Sequence, residues 1–167
     1  FSTFLEASTV AAAPTAVAVA DSPPNGAIGD RVLGVAKVAG AGGLSAATSS
    51  LPGTGLSLSS AGLVDAIHSI KYGAMTDLGL DVTGYNALTF DVLFLDLAPV
   101  FFSAILTDGG GTSETDMITL DATAPPGYAN SFNLANFTVV DLSDIAMIEF
   151  VFDGLAGADL ILEEIAF

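Results

Sequence analysis

An antiparallel β-sandwich, most simply a jelly roll, is the fold class this sequence predicts, and three observations predict it. Short runs rich in Phe, Ile and Val recur along the chain, as in "DVLFLDL" at 91–97 and "MIEFVFDG" at 147–154. Their length and composition suit strands better than helices. Turn residues separate them at short, fairly even intervals, the spacing of sandwiches and barrels. A chain of 167 residues is long enough for one domain with a hydrophobic core and too short for two ordinary ones. The expectation is therefore a single all-β domain over 1–167, with at most one or two short helical turns.

Strands are expected near 2–10 and 15–20, within "FSTFLEASTVAAAPTAVAVA". This N-terminal arm over 1–20 is β-capable, with Phe1, Phe4, Val17 and Val19 on either side of a small-residue stretch. "DSPPNGAIGD" then turns the chain into a strand near 30–38, and "GAGG" turns it again into one near 44–49. At 51–55 stands "LPGTG", the pentapeptide of a sortase signal. Such a signal lies near a C-terminus before an apolar segment and a basic tail, whereas a single Lys and no Arg follow this one. Pro52-Gly53 instead fits the centre of a type II turn, joining "LSAATSS" to a strand near 55–60 as a hairpin. Further strands are expected near 66–72, 87–97, 100–107, 113–121 (after the turn in "DGGGTSETD"), 130–136 (after "TAPPGYAN"), 146–153 and 158–166. The last, "ADLILEEIAF", has Leu and Glu that suit helices, but its neighbours favour a strand. A helical turn is expected at 141–146, capped by Asp141 or Ser143. The stretch "LTFDVLFLDLAPVFFSAIL" is apolar at nearly every position. Its strands are either covered on both faces or meet another subunit with their outer face.

Composition narrows the partners. Only 13% of residues are charged, against about 25% in ordinary domains, so the surface is made largely of Ser, Thr, Gly, Ala and Asn or is covered. Arg31, Lys37 and Lys71 face nineteen carboxylates, a formal charge of -16. Nucleic acid and anionic membrane surfaces repel such a chain. No run reaches the roughly 20 apolar residues of a membrane helix, so insertion is not expected. With no cysteine, disulfides, thiolate metal sites and cysteine nucleophiles are excluded. The chain begins at Phe1 without Met, which reads as a processed product.

The segments "GAIGDRVLGVAKV", "GLDVTGYNALTFDVLFLDL" and "AILTDGGGTSETDMITL", and above all "FNLANFTVVDLSDIAMIEFVFDGLAGADLILEEIAF", carry a resemblance. In them the chain resembles a family of bacterial exported proteins that bear PEP-CTERM-type sorting tails. The resemblance implies export to the cell surface or beyond. It also implies a jelly-roll sandwich akin to carbohydrate-binding modules, without an assigned activity.

The acids suit either a high-salt medium or one rich in divalent cations, and calcium is the cofactor to which the second reading points, since carboxylate oxygens are its preferred ligands. "DGGGTSETD" offers Asp108, Glu114 and Asp116 around a glycine turn, and "DSPPNGAIGD" offers Asp21, Asn25 and Asp30. The competing reading is that Asp and Asn simply start turns. In jelly-roll carbohydrate-binding relatives a structural calcium often sits between the first and last strands, and that likeness adds Glu6, Asp159 and Glu163 as candidates. A sugar platform needs exposed aromatics, yet there is no Trp, and Tyr72, Tyr85 and Tyr128 are the only tyrosines. Tyrosines gathered on one concave sheet face would favour sugar binding; a smooth Ser/Thr/Ala sheet would count against it.

The single histidine, His68, has no nucleophile motif beside it, and reads as a surface or inter-strand residue. Paired carboxylates such as Asp91 with Asp96 are too plentiful among nineteen acids to mark a glycosidase. Arg31 beside Asp30 is expected to make a charge-assisted contact that fixes the sandwich or a neighbouring subunit. The expected function is non-enzymatic: an extracellular structural protein that self-assembles into a surface filament, layer or matrix. Phe1, Phe4, Val10 and Arg31 would take part, the arm adding a strand to the next subunit's open edge or pairing within its own sandwich. The alternative is a module that binds cell-surface or matrix polysaccharide, with structural calcium.

Overall fold

The computed structural model describes residues 5–21, 30–51, 55–121 and 128–166. Twelve strands run β1 Leu5–Thr9, β2 Thr15–Asp21, β3 Arg31–Ala39, β4 Ala46–Leu51, β5 Gly55–Ser60, β6 Asp65–Tyr72, β7 Ala87–Leu95, β8 Val100–Asp108, β9 Ser113–Leu120, β10 Tyr128–Asn133, β11 Ile145–Gly154 and β12 Leu160–Ala166. They form two six-stranded sheets, β1-β4-β5-β12-β7-β10 and β2-β3-β6-β11-β8-β9, and every pairing is antiparallel. The chain crosses between sheets at most connections, and the fold is an antiparallel sandwich of jelly-roll type.

Strand alternation builds the core, because successive side chains point to opposite faces. On β8, Phe102, Ala104 and Leu106 are fully buried while Phe101 is exposed; on β11, Ile148, Phe150 and Phe152 point inward. Phe102 stands at the centre. Its ring stacks on Phe152 with centroids 4.1 Å apart, and meets Phe90 at 4.6 Å and Phe132 at 5.0 Å edge-on. Such pairs add to the burial of five large rings.

The strand expected over 130–136 ends at Asn133, and a 3-10 turn follows at Leu134–Asn136. Asn133 caps it by accepting the Ala135 N–H at 3.0 Å, and Leu134 and Phe137 are buried. The helical turn expected at 141–146 is instead a single tight turn. Asp141 Oδ1 accepts the Ser143 N–H and O–H, the Asp144 N–H returns to the Asp141 carbonyl, and Ile145 already enters β11.

The arm pairs within its own sandwich: β1 lies against β4 at one edge of the first sheet, and β2 against β3 at one edge of the second. Phe1 and Phe4 lie outside the described residues, as do Asn25 and the Pro52-Gly53 turn. The flanking register, Leu51 opposite Gly55, is that of the expected β4–β5 hairpin.

Both strands of "LTFDVLFLDLAPVFFSAIL" are interior to their sheets, β7 between β12 and β10, and β8 between β11 and β9. Neither outer face is covered by a third layer of described residues.

Candidate functional site: buried polar groups and the outer face of the second sheet

The polar groups able to do chemistry are largely engaged by the fold itself. His68 on β6 shares its inward parity with Ala66 and Ile70 and is buried, neither at the surface nor between strands of one sheet but between the two sheets. Thr48 Oγ1 gives its one proton to the Gly34 carbonyl at 2.8 Å, so it accepts from His68 Nδ1–H, also at 2.8 Å. That leaves Nε2 with the lone pair, accepting the Ser60 hydroxyl at 3.1 Å. Burial lowers the His68 pKa to about 4, so the imidazole is neutral at pH 7. Serine donating to imidazole is the geometry of a nucleophile and its base. Here, however, the adjoining cavity, walled by Leu58, Val100, Phe152 and Leu160, holds about 10 Å3. That is room for about one water molecule. The Ser60 N–H is taken by Asp159 Oδ1 at 3.0 Å. The relay bolts the sheets together, Thr48 and Ser60 in the first and His68 and Gly34 in the second.

Lys37, on β3 in the same inward register as Leu33 and Val35, is 1% exposed. Its ammonium donates to the carbonyls of Ala11 at 2.8 Å, Ala41 at 2.7 Å and Leu44 at 2.9 Å. All three of its protons are used. One bond reaches the link between β1 and β2, so Lys37 stitches the arm to its own domain. The Val10 carbonyl, meanwhile, accepts the Gly43 N–H at 2.8 Å. The Val10 side chain itself is exposed. Arg31 is 3% exposed, between Asp21 of β2 and Tyr72 of β6, inside its own sandwich. Asp30 turns its carboxylate to the N–H groups of Met75 and Thr76, both at 2.8 Å.

The acids named as calcium ligands do not all come to one place. Glu6 is on β1 and Glu163 on β12, with Asp159 just before it, and β4 and β5 lie between these strands. Three strand spacings put them roughly 14 Å apart, far beyond the span of one ion with ligands at about 2.3–2.6 Å. The Glu163 side chain lies outside the described residues. Glu6 accepts the Ser49 hydroxyl at 3.2 Å.

Asp108, Glu114 and Asp116 do come to one end of the β8–β9 hairpin, where they hold the 136–141 segment. Asp108 accepts Thr112 N–H at 2.8 Å and Asp141 N–H at 3.1 Å. Glu114 accepts Val139 N–H at 2.7 Å and Val140 N–H at 3.2 Å, and Asp116 accepts the Asn136 amide at 2.8 Å. The N–H of Asp141 and then of Thr112 holds the Asp108 carboxyl below its ordinary range, and the N–H of Val139 does the same for Glu114. Asp141 is lowered by the Ser143 hydroxyl and N–H, and Asp81 by those of Thr83. These oxygens are engaged by N–H donors, main-chain ones at Asp108 and Glu114 and the Asn136 side-chain amide at Asp116. Among the described residues, no three acidic or histidine side chains converge as a metal site.

What remains is surface. The outer face of the first sheet is small along β1, β4 and β5 (Ser8, Ala47, Ser49, Ser57, Ser59) and bulkier along β12 and β7 (Ile161, Leu93, Phe94). That of the second is small along β2 and β3 (Ala16, Ala18, Gly34, Ala36) and bulkier along β11, β8 and β9 (Val151, Phe101, Ile105, Met117). Phe101 is 43% exposed and Met117 57%. The charged side chains that alternate outward on its strands are Asp65, Asp153 and the ion pair Lys71–Glu149, 3.0 Å apart. The exposed aromatics do not gather: Phe94 is on the first sheet, Phe101 on the second and Tyr85 in the loop before β7. The Tyr128 side chain lies outside the described residues.

No family model and no curated protein sequence matches the chain. Among solved structures it is similar to the family 11 carbohydrate-binding module of the cellulosomal cellulase Lic26A-Cel5E of Clostridium thermocellum. That match has 15% identity and a TM-score of 0.48, over 89% of this chain and 85% of that one. It is also similar to the enzymatically active domain of tailspike protein 4 of bacteriophage CBA120, at 12% identity and a TM-score of 0.33, over 97% of this chain and 18% of the phage chain.

Proposed function

We propose that the protein is a non-enzymatic structural module of an extracellular assembly, a subunit of a bacterial surface layer, filament or matrix. One of the contacts from which such an assembly is built is the outer face of the second sheet. One observation carries the reading: this six-stranded face sets Phe101, Ile105 and Met117 outward on the neighbouring strands β8 and β9, beside the ion pair Lys71–Glu149 and the small residues of β2 and β3. A soluble sheet with nothing to bind ordinarily alternates apolar-in with polar-out, and an apolar patch left outside marks a contact. The resemblance to exported bacterial proteins supports the extracellular setting. With β1 and β2 paired internally and Lys37 bound to the Ala11 carbonyl, contact through a face is favoured over exchange of the arm. Polysaccharide recognition would call for aromatics gathered on one platform, whereas among the described residues the exposed aromatics are Phe94 on the first sheet, Phe101 on the second and Tyr85 in the loop before β7.

The test is light scattering and negative-stain microscopy of the purified chain over a range of concentration and salt, with and without a chelator, beside Met117→Lys. Assemblies that Met117→Lys weakens support the reading. Monodisperse monomers under every condition overturn it, and retention of such monomers on insoluble polysaccharide would replace it with the carbohydrate-binding alternative.

A further inference from the structure

Building on that reading, we infer that the occupant of the face is a second copy of this chain, paired about a two-fold axis that runs parallel to the strands between β6 and β11. These two strands are the central pair of the sheet, with β3 and β2 on one side and β8 and β9 on the other. A two-fold in that place lays β6 over the partner's β11, β3 over its β8 and β2 over its β9. The same patch serves both copies, as an isologous contact requires.

The ladder register then says which residues meet. Lys71 pairs with Glu149 across the β6–β11 ladder, so the operation sets Lys71 against the partner's Glu149, and Glu149 against the partner's Lys71. The ion pair at the centre of the face is thereby self-complementary, and each copy supplies both signs. Shape follows the same operation. Ala18, Gly34, Ser69, Val151, Ser103 and Met117 form one row across the sheet. Ala18 lies against the partner's Met117, a small residue under a long flexible one. In the neighbouring row Ala36, Ile67, Asp153 and Phe101 are in register, which puts Ala36 under the partner's Phe101. The hollow half of each face receives the raised half of the other.

The size fits as well. Six strands at about 4.8 Å and some eight residues at about 3.3 Å cover roughly 700 Å2 per copy, or about 1,400 Å2 over both. That lies within the roughly 1,200–2,000 Å2 of specific, stable interfaces. Two chains of formal charge -16 repel through the rest of their surfaces, so screening by salt should tighten this contact.

The experiment is a charge-reversal mixture. Lys71→Glu and Glu149→Lys are purified separately, and each is checked by circular dichroism and thermal melting so that a folding defect is recognised. Pair formation is then followed by sedimentation velocity at low and high salt. Alone, each variant sets like charges against like and should pair at least about tenfold more weakly than the parent. Mixed in equal amounts, they should form a one-to-one heterodimer, since both contacts between positions 71 and 149 then join opposite charges. Loss of an ion pair within one chain cannot produce rescue in trans. Assembly that both variants retain, or that mixing does not restore, overturns the two-fold pairing while leaving the structural-module reading standing. A parent chain that stays monomeric at all salt concentrations removes both.

Discussion

Acid should loosen the sandwich through His68 before most carboxylates titrate. Unfolded, the imidazole has its ordinary pKa of 6.5; folded, burial between the sheets lowers it to about 4. Between these values the unfolded chain binds the proton and the folded one does not, so stability rises with pH across the window and falls as pH drops through it. At about 1.36 kcal/mol per pKa unit, a shift of roughly 2.5 units corresponds to about 3.4 kcal/mol in the limit. By linkage, roughly 2 kcal/mol of that should already be gone at about pH 5. The perturbation is His68→Gln, whose amide retains a donor and an acceptor for Thr48 and Ser60 but takes up no proton. Urea unfolding of parent and variant in steps from pH 7.5 to about 4.5 reads the effect as the difference in pH slope. The parent should lose stability steadily over that range, and the variant should stay nearly flat until the carboxylates begin to titrate. Equal slopes would refute the buried, neutral imidazole and with it the inter-sheet relay.

Other outcomes follow from the same contacts. Lys37→Met removes the donor for three carbonyls, and leaving them unsatisfied should cost roughly 3 kcal/mol or more by chemical denaturation; proteolysis should speed up first around residues 10–14, where the arm is released. Phe102→Ala opens a hole among Phe90, Phe132, Phe150 and Phe152 and should lower unfolding free energy by about 3–5 kcal/mol. Glu114→Gln should lower the melting temperature at neutral pH. The deficit should close in acid, because the parent's depressed carboxyl contributes stability above its unfolded pKa and loses it as pH falls through its folded one. A chelator should leave the melting temperature of the parent unchanged, since the Asp108, Glu114 and Asp116 oxygens already accept N–H groups.

Strand alternation was the most legible feature of this chain. Each expected strand has its counterpart in β1 to β12, most within two residues, because Gly, Pro and Asp punctuation set the ends. The helical turn was misplaced because "DLSDIA" and "NLAN" offer the same local cap chemistry. What separates them is tertiary: Ile145 must enter β11, while Leu134 and Phe137 can both reach the core. The buried cations were harder to see. Lys37 sits in phase with Leu33 and Val35, a visible signal that it points inward, but its three carbonyl partners come from loops that no local pattern brings together. The acids showed the reverse problem. Their type suggested a metal, and only the fold reveals that Glu6 and Asp159 are separated by two strands and that Glu114 reaches Val139. The outer face was legible in part, since "VFFSAIL" is apolar on both parities, whereas the matching of Ala18 and Ala36 to Met117 and Phe101 needs the strand order.

Hydroxyl-radical footprinting against protein concentration tests most directly whether the outer face of the second sheet is a contact between copies. Met117 and Phe101, 57% and 43% exposed on that face, should lose reactivity as concentration and salt rise. Leu63 at 84% and Val139 at 69%, which lie in loops elsewhere, should keep theirs. Constant labelling of Met117 and Phe101 at every concentration, or protection that appears at Leu63 or Val139 instead, would contradict it.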